Sequence, residues 1–294
     1  MKVIFRADDV GYTPVSNRGA FRSMEEGVVS LVELMVDCPG SEEAMEFLKE
    51  RPWISVNWHT HWWGTPVAGA ENVPSLVDAS GHFRKDLGNS HRFGISGIDY
   101  EDMLRECRAE VEFYLRKMGR VPDATNVGNS IIGRAKKAVC DEYGIVYGYN
   151  RYYHYGPEAA GHKPGMNLPE DWDPKYEEKR IFEYENFGRP GLLLKDYKQY
   201  DPLEMIMTMP EGDYVWMRSE HPGYVDERIW EDTAEICSIQ RCKDVEALCS
   251  PELKAWIREN HVELVNLRDA LYGSREYQNY LLATGSDLAL ERLL

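Results

Sequence analysis

Lys2-Val3-Ile4-Phe5-Arg6-Ala7-Asp8-Asp9-Val10-Gly11 reads as a short apolar strand, Lys2 to Ala7, that ends on two adjacent carboxylates before a glycine turn. Working outward, β-branched or aromatic runs recur at Leu31 to Val36, Ile54 to His59, Ala124 to Val127, Ile145 to Tyr149, Tyr214 to Arg218 and Val262 to Asn266. The stretches between them carry helical periodicity and close on Gly, Pro or Asn, the pattern of βα units rather than of a β sandwich. The clearest helix is Tyr100 to Met118, where Met103, Leu104, Cys107, Val111, Tyr114, Leu115 and Met118 share one face and Gly119 is the stop. Ser41 to Lys49, Asp226 to Ile239 and Pro251 to Asn260 read similarly, with Asp226 and Ser250 as N-caps. The expectation is one α/β barrel-like domain over residues 1–294, with about seven strands.

Two segments break the rhythm, 64–97 and 152–195, both rich in Gly and Pro and too long for ordinary βα connections. In a βα barrel such insertions dress the carboxyl ends of the strands, where active sites sit. Thirty-four basic against fifty acidic side chains leave a net charge of −16. That field repels phosphate backbones and anionic lipid, which argues against nucleic acid and membrane surfaces as partners. It suits a neutral substrate, or a cation held by carboxylates. Without a membrane-length apolar run or a signal-peptide pattern, the expected compartment is the cytoplasm. Cys38, Cys107, Cys140, Cys237, Cys242 and Cys249 lack paired zinc-ligand spacing and read as reduced thiols. Phosphate-loop, nucleophile-elbow and dinucleotide motifs are missing, which lowers kinase, esterase and dehydrogenase readings.

Three clusters carry chemistry. Adjacent carboxylates leave a regular strand on opposite faces, but at a strand end, where the chain turns, Asp8 and Asp9 can converge; one could bind a cation and the other take a proton from water. A turn or helix-capping pair is the alternative. His59 and His61, two apart in Asn57-Trp58-His59-Thr60-His61-Trp62-Trp63, point the same way from an extended strand and can place two imidazole nitrogens near one ion. Trp58, Trp62 and Trp63 could stack on a sugar or pack in the core, and Trp62 is assigned as a substrate contact. In Arg218-Ser219-Glu220-His221-Pro222-Gly223-Tyr224, Pro and Gly give His221 a rigid mount for proton donation, unless the segment is a surface turn. Arg218, at the strand end, is assigned as a substrate contact. The Tyr-rich stretch Gly144 to Tyr155 suits a carbohydrate groove, a loop packed on the barrel, or a subunit contact in a homo-oligomer. His91 and His162 lie in the insertions, without a spacing argument for either.

At these residues the chain resembles the YdjC-like carbohydrate deacetylases, the family of chito-oligosaccharide deacetylase. Arg6 to Gly11 with Asn17-Arg18-Gly19 looks like the family's opening, and Trp58-His59-Thr60-His61 falls where its first metal histidine lies. Leu76-Val77-Asp78 with Gly81-His82-Phe83, His221-Pro222-Gly223-Tyr224, and Glu246-Ala247-Leu248 with Ser250-Pro251 match further segments in order. The likeness runs from about residue 2 to residue 272.

The resemblance implies a distorted (β/α) barrel of about seven parallel strands, related to polysaccharide deacetylase barrels. It implies a divalent cation held by Asp9 and His59, with Asp8 as general base and His221 protonating the leaving amine. Zinc leads the candidates, ahead of magnesium, manganese, cobalt and nickel. The implied reaction is hydrolysis of an N-acetyl group from a small amino sugar or oligosaccharide. One departure stands out: where the family carries a histidine-rich motif after a proline, this chain reads Pro122-Asp123-Ala124-Thr125-Asn126-Val127-Gly128-Asn129-Ser130. Either His61 supplies the third ligand, or Asn129 does so through a weaker oxygen, or the site has lost its metal. His61 ranks first because imidazole binds transition metals better than an amide. Asn126 and Asn129 then become substrate contacts. The rival readings are a non-catalytic carbohydrate-binding protein on the same barrel, and a metal-dependent hydrolase of another amide or ester.

Overall fold

Alternation along β1 (Lys2–Val10) sorts its side chains between two environments. Val3, Phe5 and Ala7 join the main apolar layer. Ile4 faces a second cluster with Leu31, Ile181, Val215, Met217 and Val265. Period two puts Arg6 and Asp8 on the side of Ile4, inside the curve of the sheet. The computed structural model describes residues 1–88, 96–154, 163–185, 191, 193–233 and 237–293.

β1 pairs in parallel with β2 (Leu31–Met35) on one side and β7 (Val215–Glu220) on the other. β3 (Ser55–His59) continues from β2; β6 (Ile181–Glu185) and then β4 (Arg151–His154) continue from β7, all parallel. β5 (Gly165–Asn167) adds an antiparallel edge, and β8 (Glu263–Leu264) pairs with the start of β1. Between β3 and β4 the hydrogen bonding passes through isolated contacts. Trp58 N donates to Ala124 O at 2.9 Å, Thr125 N donates to Val146 O at 2.9 Å, and Ala124 bridges Val146 in parallel. The Val146 segment then runs on into β4. These contacts bend the mixed α/β fold into a distorted barrel.

The expected strands Ala124–Val127 and Ile145–Tyr149 are thus corrected to one bridge. Pro122 lacks an N–H to donate, Val127 N is taken by Asp171 Oδ2 at 3.1 Å, and Gly148 turns into the left-handed region with φ 64°. The barrel strands missing there come from the stretch 152–195, which carries β5, β6 and nearly all of β4 and so does more than decorate the barrel.

Helices cover the outer face. Tyr100–Met118 forms as expected, capped by Asp99 and stopped by Gly119 at φ 73°, with Met103, Cys107, Val111, Tyr114 and Met118 buried. Asp226 caps a shorter helix than expected, Glu227–Thr233; Cys237 takes a left-handed φ of 58°, and a separate helix, Gln240–Cys249, follows. Gly19 lies in the helix Pro14–Glu25, where an added Cβ would meet Gly223 Cα at 2.7 Å; the His-Pro-Gly turn packs directly on that helix. Among the described residues, no helix is long and apolar enough to cross a membrane.

Candidate metal centre

The acidic pair ends β1 without following strand geometry. Its register with β2 slips between Ala7 and Val10, and Asp9 adopts a left-handed φ of 60°. A non-glycine residue there costs roughly 1–2 kcal/mol, so the turn has to be held by its surroundings. Asn17 does this, accepting from Gly11 N at 2.9 Å and donating to Gly40 O at 2.9 Å. The two carboxylates consequently serve one mouth from different partners.

Asp8 is clasped by Arg6, with Nε 2.6 Å from Oδ1 and Nη2 3.0 Å from Oδ2. Burial alone would raise its proton affinity, but Arg6, His221 and His59 together bring it below the ordinary carboxylate range. Asp9 divides its oxygens. Oδ1 lies 3.1 Å from His59 Nε2 and 3.2 Å from His61 Nε2, whereas Oδ2 accepts from Arg241 Nη2 at 2.7 Å. Against its burial, Arg241 and both imidazoles hold Asp9 well below the usual range.

The alternation of β3 carries past its end: His59 and His61 reach Asp9, while Thr60 between them accepts from Lys136 Nζ at 3.0 Å. The His61 ring stacks on Trp63 at 4.2 Å, and Trp63 in turn lies 4.9 Å from the Tyr12 ring. His59 Nδ1 sits 3.4 Å from Glu33 Oε2, so each of its nitrogens faces a carboxylate. Burial would depress the imidazole, yet Asp9 and Glu33 raise it to about 10. One ligand atom each from Asp9, His59 and His61 fall within 4.8 Å of one another. A carboxylate oxygen with two imidazole nitrogens is a donor set that fits a divalent transition metal and leaves coordination positions open.

A cavity of about 280 Å³ opens beside the histidines, walled by Trp58, Trp62, Thr125, Asn126 and Lys136 among others. Beneath it lies a layer of paired polar groups. Arg6 donates to Glu183 at 2.7 Å; Glu183 also accepts from Ser219 at 2.8 Å and Asn150 at 3.1 Å, and Glu33 accepts from Asn57 at 2.8 Å. His221 follows β7 on the expected turn, its backbone N donating to Asp244 Oδ2 at 3.0 Å, and its charge is close enough to act on Asp8.

The sequence-derived candidates therefore divide. Asp8, Asp9, His59, His61 and His221 gather at the carboxyl ends of β1, β3 and β7. Trp62 and Asn126 wall the cavity, with Trp62 buried against Phe83. Among the described residues the wall does not include Asn129, which is exposed and offers its carbonyl to Arg134 at 3.2 Å. Arg218 is corrected: parity along β7 sends it to the outer face beside Trp216, where it is fully buried and donates to Glu220 at 2.6 Å and Tyr184 O at 2.9 Å. His91, Tyr155 and His162 lie outside the described residues. Sequence reading passed over Glu33, Glu183, Lys136 and Arg241. Glu33 had a signal, a lone acid on the inward parity of an otherwise apolar strand; Glu183 shares its parity with Glu185 in a stretch not read as a strand, and Arg241 had no signal, because its partner is far away in the chain.

The family model described as YdjC-like protein matches residues 2–125. Carbohydrate deacetylase 1 of Listeria innocua is 25% identical over 272 residues, covering 92% of this chain and 100% of that protein. The carbohydrate deacetylase of Brevibacillus brevis is 28% identical over 274 residues, covering 92% and 99%. A crystal structure from Enterococcus faecalis, of a protein provisionally named for cellobiose-phosphate cleavage, shares the fold with a TM-score of 0.61 and 22% identity, over 90% of this chain and 97% of that one.

Proposed function

We propose that the chain is a YdjC-like carbohydrate deacetylase, which removes the N-acetyl group from a small amino sugar or oligosaccharide by metal-dependent hydrolysis. The observation that carries this reading is the convergence of Asp9, His59 and His61 beside a second, separately held carboxylate. Asp9, His59 and His61 would hold the cation. Two imidazoles with one carboxylate favour zinc, cobalt or nickel over magnesium, and zinc is our choice. Bound there, it supplies Lewis acidity toward water and the amide carbonyl.

The chain's own residues do the rest. Asp8 accepts the proton of the attacking water; Arg6 keeps it ionised and ready, at some loss of basicity. His221 gives a proton to the departing amine nitrogen, so that acetate and a free amino sugar result. Trp62 and Asn126 are proposed to orient the sugar from the cavity wall. The buried thiols Cys38, Cys107 and Cys140, which stand outside any disulfide, support the cytoplasm as the compartment.

The test is metal content, with acetate release from a panel of N-acetyl sugars, in wild type and His59→Ala. We expect near-stoichiometric metal in wild type, its loss in the variant, and a fall in hydrolysis of roughly a thousandfold, about 4 kcal/mol in the barrier. Hydrolysis that survives both His59→Ala and chelation would sink the reading.

A further inference from the structure

Arg241 is buried, and it occupies one oxygen of the carboxylate whose other oxygen faces both histidines. Resting on the metal-site reading above, we propose that Arg241 is a positioning residue that reserves Asp9 Oδ2 for its guanidinium and so presents Oδ1 alone to the ion.

The arginine is itself restrained on several sides. Its Nε donates to Cys237 O at 2.9 Å, and its guanidinium carbon lies 5.9 Å from the centre of the Tyr12 ring. Tyr12 is tied in turn through its hydroxyl to Asp232 at 2.7 Å. A planar fork fixed at Nε and at Nη2 cannot follow a rotating carboxylate, so Asp9 keeps one orientation. Outer partners of this kind set the direction in which a ligand atom is offered.

The same helix makes a second contact with the site. Asp244, three residues further on and equally buried, accepts the His221 backbone N–H at 3.0 Å through Oδ2 and the Tyr200 hydroxyl at 2.8 Å through Oδ1. Gly223 N also donates to Arg241 O at 3.4 Å. The first turns of Gln240–Cys249 therefore hold the ligand carboxylate with one side chain and the proton-donor turn with another. The two functions separate by residue: Arg241 governs the ion, Asp244 the donor.

The experiment is zinc affinity of the full chain without substrate, by competition with a chromophoric chelator, alongside acetate release. Arg241→Gln should weaken zinc by about 10–100-fold, the usual range for an outer-sphere partner. Arg241→Lys keeps the charge but cannot reach Asp9 and Cys237 O together, so it should fall between Gln and wild type. Asp244→Asn should leave zinc affinity at the wild-type level while kcat drops. A folded Arg241→Gln protein that binds zinc as wild type does would overturn the proposal and leave the metal reading standing. Should that variant not fold, wild-type affinity in Arg241→Lys would overturn it equally. Wild type that takes up no zinc at all would overturn both.

Discussion

The floor and the mouth of the barrel are built from the same strands, two or four residues apart, and stay together for different reasons. At the floor Ile4, Leu31, Ile181, Val215 and Val265 form an apolar cluster whose burial is favourable side chain by side chain. At the mouth Arg6, Asp8, Glu33 and Glu183 are just as hidden, yet each is tolerated only because its neighbours compensate it. The lesson is that the mouth cannot be trimmed one residue at a time: removing a charge there exposes its partner to an apolar interior, while removing carbon from the floor merely leaves a hole.

The largest effect should come from breaking the mouth. Arg6→Leu leaves Asp8 and Glu183 facing each other without a cation, and we expect the unfolding free energy to fall by about 3–5 kcal/mol in denaturant titration. A loss below 1 kcal/mol, on the order of a surface pair, would mean that water already compensates this layer. Leu31→Ala should cost about 3 kcal/mol through lost burial and a cavity, with zinc affinity unchanged. If the folded variant bound zinc less well, floor and mouth would be one mechanical unit and the contrast drawn here would fail.

The smallest effect sharpens the contrast through pH. Despite its burial, His59 keeps a proton up to about 10 in the metal-free protein, because Asp9 and Glu33 face its ring nitrogens. A cation requires the neutral ring, so uptake releases that proton, and affinity should rise by at most about tenfold per pH unit below that value. The sign for stability is the reverse. A pKa raised on folding stabilises fully below the ordinary histidine value of about 6.5, and that contribution is lost as pH climbs through about 10. Melting of the metal-free protein across this window, repeated with zinc, checks both signs; a metal-free melting temperature that rises with pH would contradict them.

Legibility followed sequence distance. β1, β2, β3 and β7 were readable because their alternation is clean and their ends are marked by turns. The arc from Ala124 to β6 was misread, since Pro122 and Gly148 weaken it as strand while the true strand Ile181–Glu185 hides in a stretch full of Pro and Gly. His61 could be found from its spacing to His59. Arg218 was misassigned by one step of parity, which proximity to His221 in the chain concealed.

What the sequence determined by itself was which residue types stand at the carboxyl ends of the strands, because alternation and turn chemistry are local properties. It also carried the order of motifs by which the chain resembles the YdjC-like carbohydrate deacetylases. Only the tertiary structure decided how the two oxygens of Asp9 are shared between the histidines and Arg241, and that Arg6 is shared with Glu183 from across the barrel. Those pairings join residues hundreds of positions apart or turn on a single left-handed backbone angle, and electrostatic compensation in a buried layer depends on distance in space, which spacing along the chain does not encode.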